Sequence, residues 1–516
     1  MSRAPSVQPP TAGEAEQSGT GNEPSQRARR QIRAGEGSLT LGPTGPVKGL
    51  TGAVQQAVTT KGGTRMASRY CIIGAGYSGL GIARAFQEAG IAFDIFEQND
   101  DVGGNWLNGV YDATHIISSR NSTGYEEYPM PASYPDFPSR QQVLDYLRAY
   151  ADHYGLRRYI QFRRRVERIE PLDQRGLSGW RVTLDDGRSL EYRGVIVANG
   201  HHWDRRYPNY PGSFSGKTLH SKDYKNADDF EGERVLVVGA GNSGCDIAVE
   251  AALCKRIKQV AISMRRGYYF LPKTIAGIPV AEMEMPWMPL WLQKLIIKAA
   301  LALIVGPNSR YGLPKPDHDL FDRHPIVNSQ LLYFIRHGLI APKPDIARLD
   351  GKQVHFVDGS SQEFDTIVWA TGFNVSFPFL DHGLFTWEHG YPRLVAHLMA
   401  PDVANLYIFG LLQPRGGAGP LISRGARLLV ELIQCQERLD VPIANLIARW
   451  EPPSARYLVG VQETMRSIER LRRRLRRLAP RGSQPGGFSH DQSQPRPASE
   501  AAPGYAVPAA GHASQS

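Results

Sequence analysis

Two short stretches of the chain, GAGYSG at Gly74 to Gly79 and GAGNSG at Gly239 to Gly244, have the composition of phosphate-binding turns. Glycines in a GxGxxG spacing let the backbone turn tightly and approach a pyrophosphate. The N-terminus of the helix that follows supplies free N–H groups and a positive dipole end. The residues after the turns set the two copies apart. Glu97 stands 18 residues past Gly79, and a carboxylate there accepts hydrogen bonds from ribose hydroxyls. The second copy has Arg265 and Arg266 at the corresponding place. A guanidinium pairs with a 2′-phosphate that an acid would repel. The first cradle (Gly74, Gly76, Gly79, Glu97) therefore fits a dinucleotide with free ribose hydroxyls. The second (Gly239, Gly241, Gly244, with Ser243 offering its hydroxyl to the pyrophosphate) fits NADP, with Arg265 on the 2′-phosphate and Arg266 as helper. Two such sites on one chain point to FAD plus NADPH.

The flanking residues supply the elements these turns need. Arg69 to Ile73 reads as a buried strand, Leu80 to Gly90 as a helix ending at glycine, and Ile91 to Glu97 as a second strand. The same order recurs as Glu233 to Val238, Cys245 to Leu253 and Gln259 to Met264. The expected fold class is α/β, with two Rossmann-like dinucleotide-binding domains, the NADP domain inserted in a discontinuous FAD domain. The expected boundaries are 66–210 and 330–455 for the FAD domain, 211–329 for the NADP domain with an apolar helical insertion, and 456–479 for a basic terminal helix. Residues 1–65 and 480–516 are rich in Pro, Gly, Ser and Gln and are expected to be disordered tails. Two readings of the first tail stay open: a true flexible leader, or a start at Met66.

The four cysteines, Cys71, Cys245, Cys254 and Cys435, form neither a CxxC pair nor a metal spacing. No redox-active pair is therefore available to take electrons from a flavin, and no metal site is expected. A reducing, cytoplasmic setting fits this usage. The formal net charge of +10 is concentrated partly in RSIERLRRRLRRL, Arg466 to Leu478. Leucines at helical spacing make it a terminal helix with a solvated basic face; contact with anionic lipid is the second reading, and nucleic acid is not expected. Met288 to Gly306 is strongly apolar but carries Lys294 and Lys298 on one face. Three readings fit: a buried helix, a lid over a substrate channel, or an interfacial helix making peripheral membrane contact. A span would carry both lysines through lipid and ranks last.

The segment PGSFSGKTLHSKDYK places Phe214, Gly216, His220 and Tyr224 in the spacing F-x-G-x-x-x-H-x-x-x-Y, just before the second glycine turn. It resembles the identifying motif of the flavin-containing monooxygenases, the class B flavoprotein monooxygenases, and the resemblance covers about residues 68 to 450. GGNW resembles the family's GGxW and implies cofactor roles for Gly104 and Trp106. Ser118 to Pro138 resembles the stretch holding the family's active-site asparagine, here Asn121. DTIVWATGF resembles its ATG motif, with Thr371 and Gly372, and VIVANGHH the earlier counterpart. The resemblance implies an NADPH-dependent enzyme that forms a C4a-hydroperoxyflavin from O2 and passes one oxygen to a small nitrogen or sulfur nucleophile. It also implies a coupling role, rather than acid–base work, for His220 and Tyr224. Related Baeyer–Villiger enzymes have a tryptophan followed by proline or aspartate where this chain has Tyr224-Lys225. That departure favours heteroatom oxidation and leaves a ketone or an indole-pyruvate type of 2-oxo acid as the alternative. A flavin-binding redox sensor without turnover is the third reading.

Overall fold

The computed structural model describes residues 68–283 and 287–478. The expectations for 1–65 and 480–516 fall outside the described residues. Ten strands build two parallel sheets: β1 (Tyr70–Ile73), β2 (Phe93–Phe96), β3 (Ile160–Gln161), β4 (Gly194–Val197), β5 (Lys217–His220), β6 (Arg234–Val238), β7 (Gln259–Ser263), β8 (Ala341–Lys343), β9 (Thr366–Trp369) and β10 (Leu406–Ile408). The first sheet runs β10-β4-β1-β2-β3 and the second β5-β9-β6-β7-β8. Both are parallel throughout and are centred on the strand that feeds a glycine turn. Successive side chains of each central strand enter opposite cores. Tyr70 and Ile72 pack on one side of β1, Cys71 and Ile73 on the other. Val235 and Val237 divide from Leu236 and Val238 in the same way. Burial on both faces is why these strands read as continuous apolar runs. All four cysteines are free, and burial pushes the Cys71 and Cys245 thiols well up, as expected of core residues.

One boundary differs from the sequence reading. The sequence reading gives residues from 330 onward to the return of the first domain, yet β8 and β9 lie in the second sheet. The crossing falls instead where Asp204–Arg205 and Phe373–Asn374 pair antiparallel, so the outgoing and returning linkers run side by side. The physical reason is that β9 completes the wall beside β6, as β4 does beside β1. A glycine turn needs a neighbouring strand end to pack against.

Five helices matter for the site: α1 (Tyr77–Glu88), α2 (Asn242–Leu253), α3 (Leu290–Ile304), α4 (Gly419–Gln436) and α5 (Val461–Leu478). The expected basic terminal helix is α5. Its Leu471 and Leu475 are buried in the core of the first sheet. Its Arg472 and Arg476 both donate to Glu431 of α4, at 2.8 and 3.3 Å. Part of the arginine run is thus an ion-paired seam rather than a solvated face.

Asp365 precedes β9 and gathers Arg234, through Nη2 at 2.9 Å, and Lys352, through Nζ at 3.0 Å, while accepting from the Glu233 and Arg234 amides. The Arg234 guanidinium beside it holds its carboxyl well below the usual carboxylate range. Asp365→Asn is expected to destabilise the fold by about 2 kcal/mol at neutral pH, the scale of hydrogen bonds to a charged group. Because the folded-state pKa is depressed, this advantage of the wild type is full above the ordinary value of 3.8 and is lost as pH falls below it. Urea unfolding at pH 7 and pH 3 checks both statements.

Candidate functional site

The two glycine turns have nearly the same geometry. Gly74 and Gly239 have φ of +103° and +102°, in the region that favours glycine. A Cβ on Gly74 would stand 2.7 Å from the Ala198 carbonyl oxygen, and one on Gly239 would stand 2.4 Å from that of Ala370. A Cβ on Gly79 or Gly244 would stand 1.9 Å from the oxygen of Gly74 or Gly239, so each helix docks on its strand only through glycine. Neither Gly76 nor Gly241 supplies a side-chain cap, and their helices begin with uncapped N–H groups. Open space surrounds the Cβ direction of Gly241. Both turns therefore suit a bound pyrophosphate.

At the first cradle Glu97 is buried, and its Oε2 accepts from the Ala75 amide at 2.7 Å. Its Oε1 accepts from the Asn99 amide at 2.9 Å and from Asn99 Nδ2 at 2.6 Å. Asn99 was not singled out from the sequence; its position two residues past the ribose acid was the available signal. Gly104 packs directly on Gly76, and Trp106 is the second residue of the short π-helical stretch Asn105–Gly109.

The second cradle opens into a cavity of about 1010 Å³ lined by Gly239, Gly241, Arg265, Arg266, Thr371 and Gly372. Arg206, Arg393 and Arg456 also line it. Sequence reasoning missed these three, because they come from the domain linker and from segments far along the chain. Gly244 and Ser243 lie behind the lining. The Tyr111 hydroxyl, near Ser243, donates to Asp246 Oδ2 at 2.8 Å. Ser243 lies in the first turn of α2, where the sequence reading places its hydroxyl toward a pyrophosphate.

The Phe214, Gly216, His220 and Tyr224 motif forms a joint between linkers. Gly216 leaves room for the Phe214 ring and the Asp365 carbonyl, which would stand 2.6 and 2.5 Å from a Cβ there. His220 is fully buried. Its Nδ1 accepts from the Lys222 amide at 3.1 Å, which leaves the proton on Nε2 to donate to the Gly372 carbonyl at 3.1 Å. Burial lowers its pKa, so the ring is neutral and both nitrogens are spent on backbone. The Thr371 hydroxyl donates to the Arg206 carbonyl, and Arg206 Nε returns a bond to the Thr371 carbonyl at 3.2 Å. Tyr224 is fully buried, and burial beside Glu250 drives its phenol pKa far up.

Asn121 sits on the single helical turn Arg120–Thr123, capped by Ser119. It is exposed, and its Nδ2 donates to Glu282 Oε1 at 3.1 Å. Its neighbours Ser118 and Thr123 line a second cavity of about 860 Å³, but Asn121 does not. The helical turn rotates its side chain toward the 280–282 segment instead.

That second cavity lies beneath α3, with Ile297 and Leu301 on its wall. The opposite face of α3 is open, with Trp291 67% and Leu303 88% exposed, so α3 is not a core helix. Lys294 donates to Asp319 at 2.7 Å and Lys298 pairs with the same carboxylate, so the polar stripe fastens the helix over the cavity. His202 and His324 also face this space. Burial takes the His202 pKa down to about 3 and that of Lys222, which donates to Asn105 Oδ1 at 3.3 Å, down to about 8. Among the described residues no group of three or more His, Cys, Asp or Glu could hold a metal ion.

Residues 67–457 match the family model described as flavin-binding monooxygenase-like. The chain belongs to the flavin-binding monooxygenase family. Among curated relatives, flavin-containing monooxygenase 5 of Rattus norvegicus is 32% identical, covering 77% of this chain and 80% of the relative. The probable indole-3-pyruvate monooxygenase YUCCA9 of Arabidopsis thaliana is 31% identical, covering 68% and 86%. Among solved structures, a mutant flavin monooxygenase from Stenotrophomonas maltophilia aligns with a TM-score of 0.56 at 26% identity, covering 72% of this chain and 99% of that one. OTEMO in complex with FAD and NADP aligns at 0.62 and 18% identity, covering 80% and 98%, a likeness of fold. The family uses FAD and NADPH, and the two cradles fit those groups.

His220→Ala removes two buried bonds and leaves the Gly372 carbonyl and the Lys222 amide without their ring partner. It is expected to cost about 2 kcal/mol of stability while leaving flavin absorbance per folded protein unchanged, as read by denaturant titration and by the visible spectrum.

Proposed function

We propose that the first cradle holds FAD and the second NADPH, and that the chain inserts one atom of O2 into a small nitrogen- or sulfur-containing molecule. The observation that carries this is the pairing of two equivalent glycine turns with opposite ribose ends, Glu97 in one and Arg265 with Arg266 in the other. Flavin, when bound, supplies the oxygen activation. The protein's part is to position and to exclude water. Glu97 orients a ribose, the uncapped N-termini of α1 and α2 hold the pyrophosphates, and α3 closes the adjoining cavity. The fingerprint joint ties the nucleotide cavity to the returning linker through His220 and Gly372, which couples occupancy of the second cradle to the first. Asn121 stays in this reading as the amide near the flavin. To serve there it exchanges its Glu282 bond for a cofactor contact, a rotamer change open to an exposed side chain.

The paired glycines test the assignment. Gly79→Ala is expected to give protein that no longer retains yellow flavin. Gly244→Ala is expected to retain it and raise KM for NADPH at least tenfold. Replacing both Arg265 and Arg266 by Gln is expected to erase most of the preference for NADPH over NADH, with kcat changed less than KM. An equal loss with both nucleotides would sink the 2′-phosphate role. The mass of the product from a sulfide, a ketone and a 2-oxo acid separates heteroatom oxidation from the Baeyer–Villiger or decarboxylating alternative. The 2-oxo acid arm is the one that the name of the plant relative supports.

The open face of α3 supports a second element of this reading, a peripheral contact with a membrane on the cytoplasmic side. Trp287 and Trp291 are 77% and 67% exposed at its start, where aromatic rings suit a bilayer interface. Flotation with liposomes is expected to carry the wild-type protein upward and to lose the Trp291→Ser, Leu303→Ser double variant. Equal flotation of both would remove the contact.

A further inference from the structure

We infer that Asp345 sets the base specificity of the second cradle: its carboxylate accepts from the amino group of the dinucleotide's adenine. The inference rests on the NADPH reading and adds to it a specificity-determining residue that neither the glycine turn nor Arg265 supplies.

The second sheet lays out the path of such a ligand. The strands β6, β7 and β8 are parallel neighbours, with Val238 opposite Ser263 and Ser263 opposite Lys343. Two residues further on, the same register sets Ala240 of the glycine turn, Arg265 and Asp345 in one row past the carboxyl ends of the strands. All three line the nucleotide cavity. Hydrogen bonds tie the strand ends together. The Gly239 amide donates to the Ser263 carbonyl at 2.8 Å, and the Met264 amide to the Lys343 carbonyl at 3.1 Å. The Ser263 hydroxyl donates to the Pro344 carbonyl at 2.6 Å. A dinucleotide lies across such strand ends. In the NADPH reading its pyrophosphate rests on the turn after β6 and its 2′-phosphate on Arg265 after β7. The adenine is the next group outward, and one strand spacing on, about 4.8 Å, it meets the end of β8. Asp345 stands there.

The carboxylates on the cavity lining are Asp322, Asp345 and Glu388. Asp322 pairs with Lys294 of α3 at 3.2 Å and Glu388 with Arg393 at 3.7 Å, and both side chains are more than half exposed. Asp345 is the one at the strand ends, and it is held in place. Its Oδ1 accepts from the Tyr210 hydroxyl at 2.6 Å and from the Ile346 amide at 3.0 Å. Both bonds fall on the same oxygen, which fixes the carboxylate and leaves Oδ2 to accept from a ligand. Tyr210 is anchored in turn, its ring stacked 6.2 Å from that of Trp369 at the end of β9. Burial, with Asp345 beside it, raises the Tyr210 phenol pKa, so the hydroxyl stays a donor. A carboxylate accepts and does not donate, and the adenine amino group is a donor. Hypoxanthine has a carbonyl oxygen in that place, and two acceptors facing each other repel.

The test is calorimetric titration of the flavin-loaded full-length protein with NADP+ and with its hypoxanthine analogue, in which a carbonyl oxygen replaces the adenine amino group. The expected result is NADP+ bound at least tenfold more tightly. Asp345→Asn keeps an oxygen for Tyr210 and Ile346 and offers an amide N–H in place of Oδ2. It should bring the two nucleotides within about threefold of each other, with thermal melting as the check that the variant is folded. Tyr210→Phe, which loosens the carboxylate without removing it, should keep part of the preference. Equal affinities in the wild type, or a tenfold preference that survives Asp345→Asn, would overturn the inference and leave the cradle assignment standing. Failure of the NADPH reading has a different signature: neither nucleotide binds the wild type or either variant, and the inference falls with it. No turnover enters these measurements.

Discussion

The structure depends on backbone meeting backbone at the glycine turns. At each one the third glycine brings a helix down onto the first glycine's carbonyl, at a distance no side chain allows. The first glycine in turn lies on the carbonyl of a neighbouring strand end, Ala198 in one sheet and Ala370 in the other. The helix N-terminus is thereby aimed, uncapped, across the carboxyl end of the central strand. That is where open parallel sheets bind their ligands. The order of the flanking strands follows from this contact, because each turn needs a strand end of its own to rest on.

The same requirement explains the joint between the sheets. The strand end that supports the second turn continues directly into the returning linker, and His220 and Arg206 hold that linker at Gly372 and Thr371. In the proposed reading this shared segment couples the second cradle to the crossing between the domains. The neutral, doubly bonded His220 ring suits this role, since a group that titrated near neutral pH would make the joint depend on pH.

Around this frame the insertion and the terminal helix build a chamber unlike the cradles. The cradles are made of backbone and of charges for nucleotides. The chamber is apolar, covered by a helix with one face toward it and one toward the outside, and ended by α5 and the 413–415 segment. Lys294 and Lys298 fix the cover through Asp319. The division matches the chemistry, in which the protein contributes placement and dryness more than covalent work.

Local rules carried the two cradles from the sequence. Spacing of glycines, the apolar runs before them, and the acid or arginines after them are all short-range, and each has one physical cause. The fingerprint joint was also legible, because Phe214, Gly216, His220 and Tyr224 lie in one segment. What only tertiary structure decided is set by contacts between distant residues. The strand at 366–369 joined the second sheet because the second turn needs Ala370 beside it. Asn121 turned from the cavity to Glu282, because a side chain's direction follows the local turn and not its place in a motif. The lysines of α3 found their carboxylate some 21 to 25 residues away, and Arg472 met Glu431 only when α5 docked on α4. Composition fixes how many charges a helix carries, but which partner each of them meets depends on what the rest of the chain brings to that surface.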